Sequence, residues 1–159
     1  MRKTIIDSAA RAIEEGTNWL DLEKLASVEI SSENELFPIE HALKLAISTG
    51  WRAAATGPQI LRLRFDDPQE LHRIQFHVIE RAAERMQEIA IFVEMAGVGV
   101  QELRRQQFTF SPHGSTEEVE DFAVELARVT MIEFRIDPDR NHDPKRSQNY
   151  ASLAALRLA

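Results

Sequence analysis

At 159 residues with 43% apolar side chains, the chain has the size of one domain and enough apolar surface for a core. Its net charge of -7 and pI near 5.3 argue against a broad nucleic-acid or anionic-membrane surface. It has no cysteine, which excludes disulfides and thiolate chemistry, and no apolar run of about 18 residues that would cross a membrane as a helix.

The basic start Met1-Arg2-Lys3 is followed by Asp7, Arg11, Glu14 and Glu15, which is not a signal-peptide core, so a cytoplasmic setting is expected. Residues 4–15 carry a helix period, with Ile5, Ile6, Ala9, Ala10 and Ile13 on one side and Gly16 at a C-cap position. A helix this short needs a surface to pack on. It lies on the main domain or, together with Trp19, forms a contact with a second copy or a protein partner. Residues 1–26 are therefore read as a helical extension and 27–159 as the domain. Residues 21–26 suit a further helical turn. Val28, Ile30 and Ser32 alternate as a first strand, and 39–45 suit a short helix.

Residues 50–58 turn at Gly50 and at Gly57-Pro58 around the pair Trp51-Arg52. Alternation is then steady. Leu61, Leu63 and Phe65 share one face, Asp66-Asp67-Pro68 reads as a turn, and Ile74, Phe76 and Val78 share the next face. Ile89, Ile91 and Val93 follow, then a turn at Gly97-Val98-Gly99 and a strand ending at Phe108 and Phe110. Phe122, Val124 and Leu126 form another face. A break at Ala127-Arg128 precedes Ile132, Phe134 and Ile136, and residues 151–158 close the chain as one strand. About eight strands without an intervening long helix predict a mainly β fold, an antiparallel sandwich or jelly roll.

Strand parity sorts the connections. Segments 66–69, 96–100 and 127–128 fall at one end. Segments 50–58, 80–85, 111–117 and 138–149 fall at the other, and these are longer. The longer set holds six Lys/Arg and five Asp/Glu, a local charge of +1 in a chain of -7. Long loops gathered at one end of a rigid sandwich are where binding residues concentrate.

The stretch Gly-Trp-Arg-Ala followed by Gln-Ile-Leu-Arg-Leu-Arg-Phe-Asp-Asp-Pro and Leu-His-Arg-Ile-Gln-Phe resembles the galactose-binding-like fold of discoidin and coagulation factor 5/8 type C domains. The segments Thr-Met-Ile-Glu-Phe-Arg-Ile-Asp-Pro at 130–138 and Ala-Ser-Leu-Ala-Ala-Leu-Arg-Leu at 151–158 resemble that family's late strands. Gly-Trp-Arg-Ala-Ala, Gln87-Glu88 and Arg-Arg-Gln-Gln-Phe-Thr-Phe-Ser-Pro at 104–112 are similar to small bacterial proteins labelled carbohydrate-binding. The Trp-Arg-Ala-Ala turn is also similar to one in the amino-terminal domain of the X-ray repair cross-complementing scaffold. The resemblance covers roughly residues 27–159. It implies an antiparallel jelly-roll β-sandwich and a non-catalytic binding module for a carbohydrate or similar polar ligand. The alternative is an intracellular interaction or assembly domain that uses the N-terminal helix.

The expected ligand-binding residues are Trp51, Arg52, Glu80, Arg81, Glu84, Arg85, His113 and Arg140. Trp51 offers an aromatic face to a sugar ring or plugs the end of the barrel. Arg52 offers a fork to hydroxyls or carboxylates, or makes a structural ion pair. Glu80, Arg81, Glu84 and Arg85 offer donors and acceptors, or are a solvated turn. Arg104-Arg105-Gln106-Gln107 lines a groove or is an exposed sheet face. Asp137, Asp139, Asn141 and Asp143 alternate like the start of a calcium loop, but position six is His142 rather than Gly and no Glu stands at position twelve. None of His41, His72, His77, His113 and His142 has metal-site spacing, and no nucleophile elbow, P-loop or dinucleotide fingerprint occurs. No enzyme activity, metal or cofactor is expected.

Overall fold

The computed structural model describes residues 18–47, 49–142 and 149–159. The proposed helix over 4–15 and its Gly16 cap lie outside the described residues. Two single-turn helices, α1 (Leu22–Leu25) and α2 (Glu40–Leu43), flank the first strand, β1 (Ala26–Ile30). The remaining strands are β2 (Trp51–Thr56), β3 (Gln59–Ile79), β4 (Arg85–Met95), β5 (Gly99–Phe110), β6 (Glu117–Asp137), β7 (Tyr150–Leu153) and β8 (Ala155–Leu158). All pairings are antiparallel. One sheet runs β1-β3-β6-β4-β5 with β8 added to β3, and β2 pairs with β7.

Two expected turns are not turns. Asp66-Asp67-Pro68 lies inside β3, and Ala127-Arg128 lies inside β6. The two long strands pair with each other along their length, and the register breaks between Arg64 and Arg73, with Gln69 opposite Val129. The sequence signal was real but ambiguous. Buried apolar positions in β3 fall on odd numbers through Leu71 and on even numbers from Ile74. A period-two pattern changes phase only by gaining a residue, through either a turn or a bulge. Pro68 has no N–H to give a ladder and sits at such a break. On β6 the matching corner is Arg128, with φ at 57°.

At this corner the paired strands pass from one layer of the sandwich to the other. The first half of β3 and second half of β6 join β1, β4 and β5. The second half of β3 and first half of β6 join β8. Phe76, from the second half of β3, meets Phe108 and Phe134 edge-to-face across the core, with centroids 6.2 Å away in both pairs. Leu61, Leu63, Ile74, Ile89, Ile132 and Leu156 fill the space between. The closing segment is two strands rather than one. Ala154 donates its N–H to His77 O (2.8 Å), and this splits β7, paired with β2, from β8, paired with β3.

Backbone hydrogen bonds join some of the connections sorted by parity: Ala96 N–H reaches Arg128 O (2.9 Å), Glu80 N–H reaches Thr116 O (2.8 Å) and Arg140 N–H reaches Met86 O (2.7 Å).

The outer sheet face carries a charged ladder. Glu133, only 3% exposed, accepts from Arg62 Nε and Arg135 Nε, each at 2.7 Å. Burial raises its pKa, but the hydrogen bonds from Arg135 and Arg62 outweigh that and hold the carboxyl below its ordinary value. Glu88 is lowered first by Gln107 and then, against burial, by Arg105. Arg104 to Gln107 serve the sheet itself. Arg105 and Gln107 bond Glu88, Arg104 lies 3.9 Å over the Phe122 ring, and Gln106 bonds Glu120. Both carboxyls titrate lower folded than unfolded. Their stabilisation is therefore complete above the unfolded value of about 4.3 and disappears as pH falls through the lower folded one. The urea midpoint should hold steady from pH 7 to 5 and decline below that. Glu88→Gln/Glu133→Gln protein should start lower at pH 7 and show a shallower acid decline. Parallel declines in the two proteins would remove these groups from the acid response.

Candidate functional site

β2 builds the site by alternation. Trp51 pairs with Leu153 and faces the core, while Arg52 pairs with Ser152 and faces out. Trp51 is 1% exposed, and its indole N–H donates to Ser32 O at 3.1 Å. Its ring is thus a core plug with no free face, which corrects its expected place among the ligand-contacting residues. Adjacent strand residues point to opposite faces, so the Trp51 ring and the Arg52 guanidinium project to opposite sides of β2, although both residues border one small cleft. Gln59 secures the hairpin after β2. Its buried amide oxygen accepts from Ser31 Oγ (2.6 Å) and Ser32 Oγ (2.7 Å), and its nitrogen donates to Ala55 O and Gly57 O.

Segment 80–85 is shaped by one carboxylate. Glu80 Oε1 accepts the N–H groups of Ala82 and Ala83, both at 2.9 Å, and Oε2 lies 2.7 Å from Arg85 Nη2. Arg85 opens β4 and is 3% exposed. Its Nη1 donates to Tyr150 O (3.1 Å), which ties β4 to β7. Neither Nε nor Nη2 has a hydrogen bond of acceptable direction, the Glu80 contact being out of line with the N–H. Burial pushes the Arg85 pKa down, Glu80 and Asp139 push it back up, and nearby Arg52 lowers it further.

These elements enclose a cleft of about 580 Å³, lined by Arg52, Glu80, Arg85, Asn34, Tyr150 and Ser152 with the small residues Ala53, Ala54, Ala82 and Ala83. A second cleft of about 230 Å³ adjoins it and shares Arg52 and Ser152. Arg81 lines that one, with Phe37 and Thr49. Arg52 lies 5.1 Å over the Phe37 ring.

Of the residues expected from sequence, Arg52, Glu80 and Arg85 meet in the first cleft, and Arg52, Arg81 and the buried Trp51 border the second. Glu84 and His113 are exposed and line neither cleft. Arg140 lies 3.3 Å from Glu88 and is also outside both. Asn34, Tyr150 and Ser152 were missed. Tyr150 is the chain's single tyrosine, directly after a long polar loop, and that was the available signal.

In the acidic loop, Asp137 accepts from Asp139 N–H (3.1 Å) and Asp139 accepts from Asn149 Nδ2 (2.7 Å). His142 adopts φ of 49°. Among the described residues there is no cluster of three or more His, Asp or Glu side chains placed to hold a metal. Asp143 and Gln148 of the calcium-like spacing lie outside them. Trp19 is described and sits 5.0 Å below the Arg73 guanidinium.

No family model matches this chain, and no curated protein matches it. Solved structures do. A family 32 carbohydrate-binding module of Clostridium perfringens NanJ, in complex with galactose, is 14% identical with a TM-score of 0.60 over 88% of this chain and 96% of that one. A second such module, from a family 31 glycoside hydrolase of Clostridium perfringens, is 18% identical with a TM-score of 0.62 over 88% and 93%. Reduced XRCC1, solved bound to the DNA polymerase β catalytic domain, is 17% identical with a TM-score of 0.57 over 85% and 95%. At these identities what is shared is the architecture: the chain has the galactose-binding-like jelly-roll fold found in family 32 carbohydrate-binding modules.

Proposed function

We propose that the chain is a non-catalytic binding module that recognises a carbohydrate or similar polar small ligand in the larger cleft. One observation carries this reading. The exposed Arg52 guanidinium, with no hydrogen bond or ion pair among the described residues, lines the cleft together with Glu80, Tyr150 and Ser152. Vicinal hydroxyls suit a guanidinium fork, and a carboxylate in the same lining adds an acceptor. The small residues at 53, 54, 82 and 83 leave room for a ring to approach backbone. The structurally similar NanJ module was solved with galactose, which accords with this reading.

Glu80 is not free to act as a general acid or base, being bonded to two amides and beside Arg85, and Glu84 does not line the cleft. The test is a thermal-shift screen against mono- and oligosaccharides followed by titration. A ligand at a hundredfold excess over Kd raises stability by about 2.7 kcal/mol. Arg52 is exposed, so Arg52→Gln should leave the unliganded melting temperature in place and weaken the sugar about tenfold, the usual scale for a lost charge-assisted hydrogen bond. An unchanged affinity in that variant would move the site away from this cleft.

A further inference from the structure

The smaller cleft has a different chemistry from the larger one. Arg52 and Arg81 both line it, with the Thr49 and Ser152 side chains and the Phe37 ring, and no carboxylate does so among the described residues. Both arginines are exposed, and neither guanidinium has a hydrogen bond or ion pair among the described residues. Glu84, three residues after Arg81, does not line the cleft, and Glu80 is held on the other side of the loop by Ala82, Ala83 and Arg85. Arg52 is steadied by its position over Phe37, a cation–π contact that fixes the guanidinium plane without using any N–H. Arg81 is fixed at its backbone, because the Glu80 carboxylate bonds the two residues that follow it. Arg85 lies close enough to Arg52 for the two charges to repel. Two guanidiniums without a carboxylate partner among the described residues therefore line the smaller cleft, and a third, Arg85, paired with Glu80, lines the larger one beside Arg52, on a chain whose overall charge is -7.

Unmatched like charges held together by the fold are costly until an anion joins them. We infer that the smaller cleft receives the carboxylate of an acidic sugar, a hexuronic acid whose ring occupies the larger cleft, with Arg52 bridging the two. The volumes fit this division. About 580 Å³ accommodates a sugar ring with its neighbour, and about 230 Å³ a small substituent. Ser152 places a hydroxyl beside the two forks, while the Thr49 hydroxyl is held by His41 Nδ1 at 2.8 Å. This inference rests on the carbohydrate reading of the larger cleft and adds the class of sugar.

The test compares methyl glycosides of glucuronate, galacturonate and mannuronate with those of the parent hexoses, titrated calorimetrically into the full chain, with sodium sulfate as a simple anion. At least one uronate should bind about tenfold or more tighter than its hexose, with a preference that shrinks as salt rises. In Arg81→Gln protein the uronate-to-hexose affinity ratio should fall about tenfold, and Arg81→Lys should restore part of it. Equal affinities for uronate and hexose would overturn the inference and leave the carbohydrate reading standing. No binding of either would overturn both. Sulfate that competes with the uronate at equal affinity would reduce the cleft to a plain anion site and overturn the assignment to a sugar acid.

Discussion

Trp51→Ala should cost about 3–5 kcal/mol of folding stability, the range for deleting a large buried aromatic side chain. Trp51 is among the largest fully buried side chains, packed where β2 meets β7. Removing it leaves a cavity and strips Ser32 O of the indole donor at 3.1 Å. Trp51→Phe keeps most of the volume and should cost roughly 1–2 kcal/mol, chiefly from the lost hydrogen bond and incomplete filling. Urea midpoints read both values. The comparison also decides between the two roles that the sequence left open for this residue. A plug loses stability in both variants, in order of removed volume. A ligand platform would lose sugar affinity while its midpoint stayed within the usual surface range of about 0.5 kcal/mol. That second pattern would contradict the burial seen here.

The two roles could not be separated from sequence because residues 50–58 read as a turn. In a turn Trp51 and Arg52 project together. In a strand they cannot, and the pairing of Trp51 with Leu153 and Arg52 with Ser152 makes this segment a strand. That pairing joins residues about a hundred positions apart, which no local pattern records. The β4 and β5 strands were legible because Ile89, Ile91 and Val93 share one face of β4, Phe108 and Phe110 share one face of β5, and a glycine turn joins the two. The corners in β3 and β6 were legible as breaks, though not as bulges, since both devices change the phase of alternation alike.

The candidate site divides in the same way. Arg52, Glu80, Arg81 and Arg85 come from two segments that parity alone places at one end. Asn34, Tyr150 and Ser152 enter the cleft through pairings with β2 and through the Arg85–Tyr150 bond, so they needed tertiary structure. Glu84 and His113, which parity groups with those two segments, line neither cleft. Parity fixes which end a loop occupies and leaves its lateral position open.

Gly50→Ala should destabilise the protein by about 3 kcal/mol or more, although it adds a single methyl group. Gly50 has φ of 73°, in the left-handed region that side chains disfavour. A Cβ there would come within 2.7 Å of Leu153 O and 2.8 Å of Ala154 Cα. Both obstacles are backbone, so no rotamer change relieves them. The contact sits at the junction where β7 ends and β8 begins, and shifting it disturbs the Trp51–Leu153 pair and the Ala154–His77 bond together. Gly97→Ala separates sterics from backbone strain. Gly97 has a similar φ of 80° with nothing within 4 Å of its would-be Cβ, so it should cost only the conformational term, about 1–2 kcal/mol. Equal losses for the two alanines would show that conformation alone sets the cost and that the backbone at Ala154 can yield. A much larger loss at Gly50 would show that the close approach of β2's entry to the β7–β8 junction is a fixed point of the fold. That junction adjoins the smaller cleft, whose lining includes Thr49, Ser152 and Ala154, so the same glycine holds the basic cleft's walls in register.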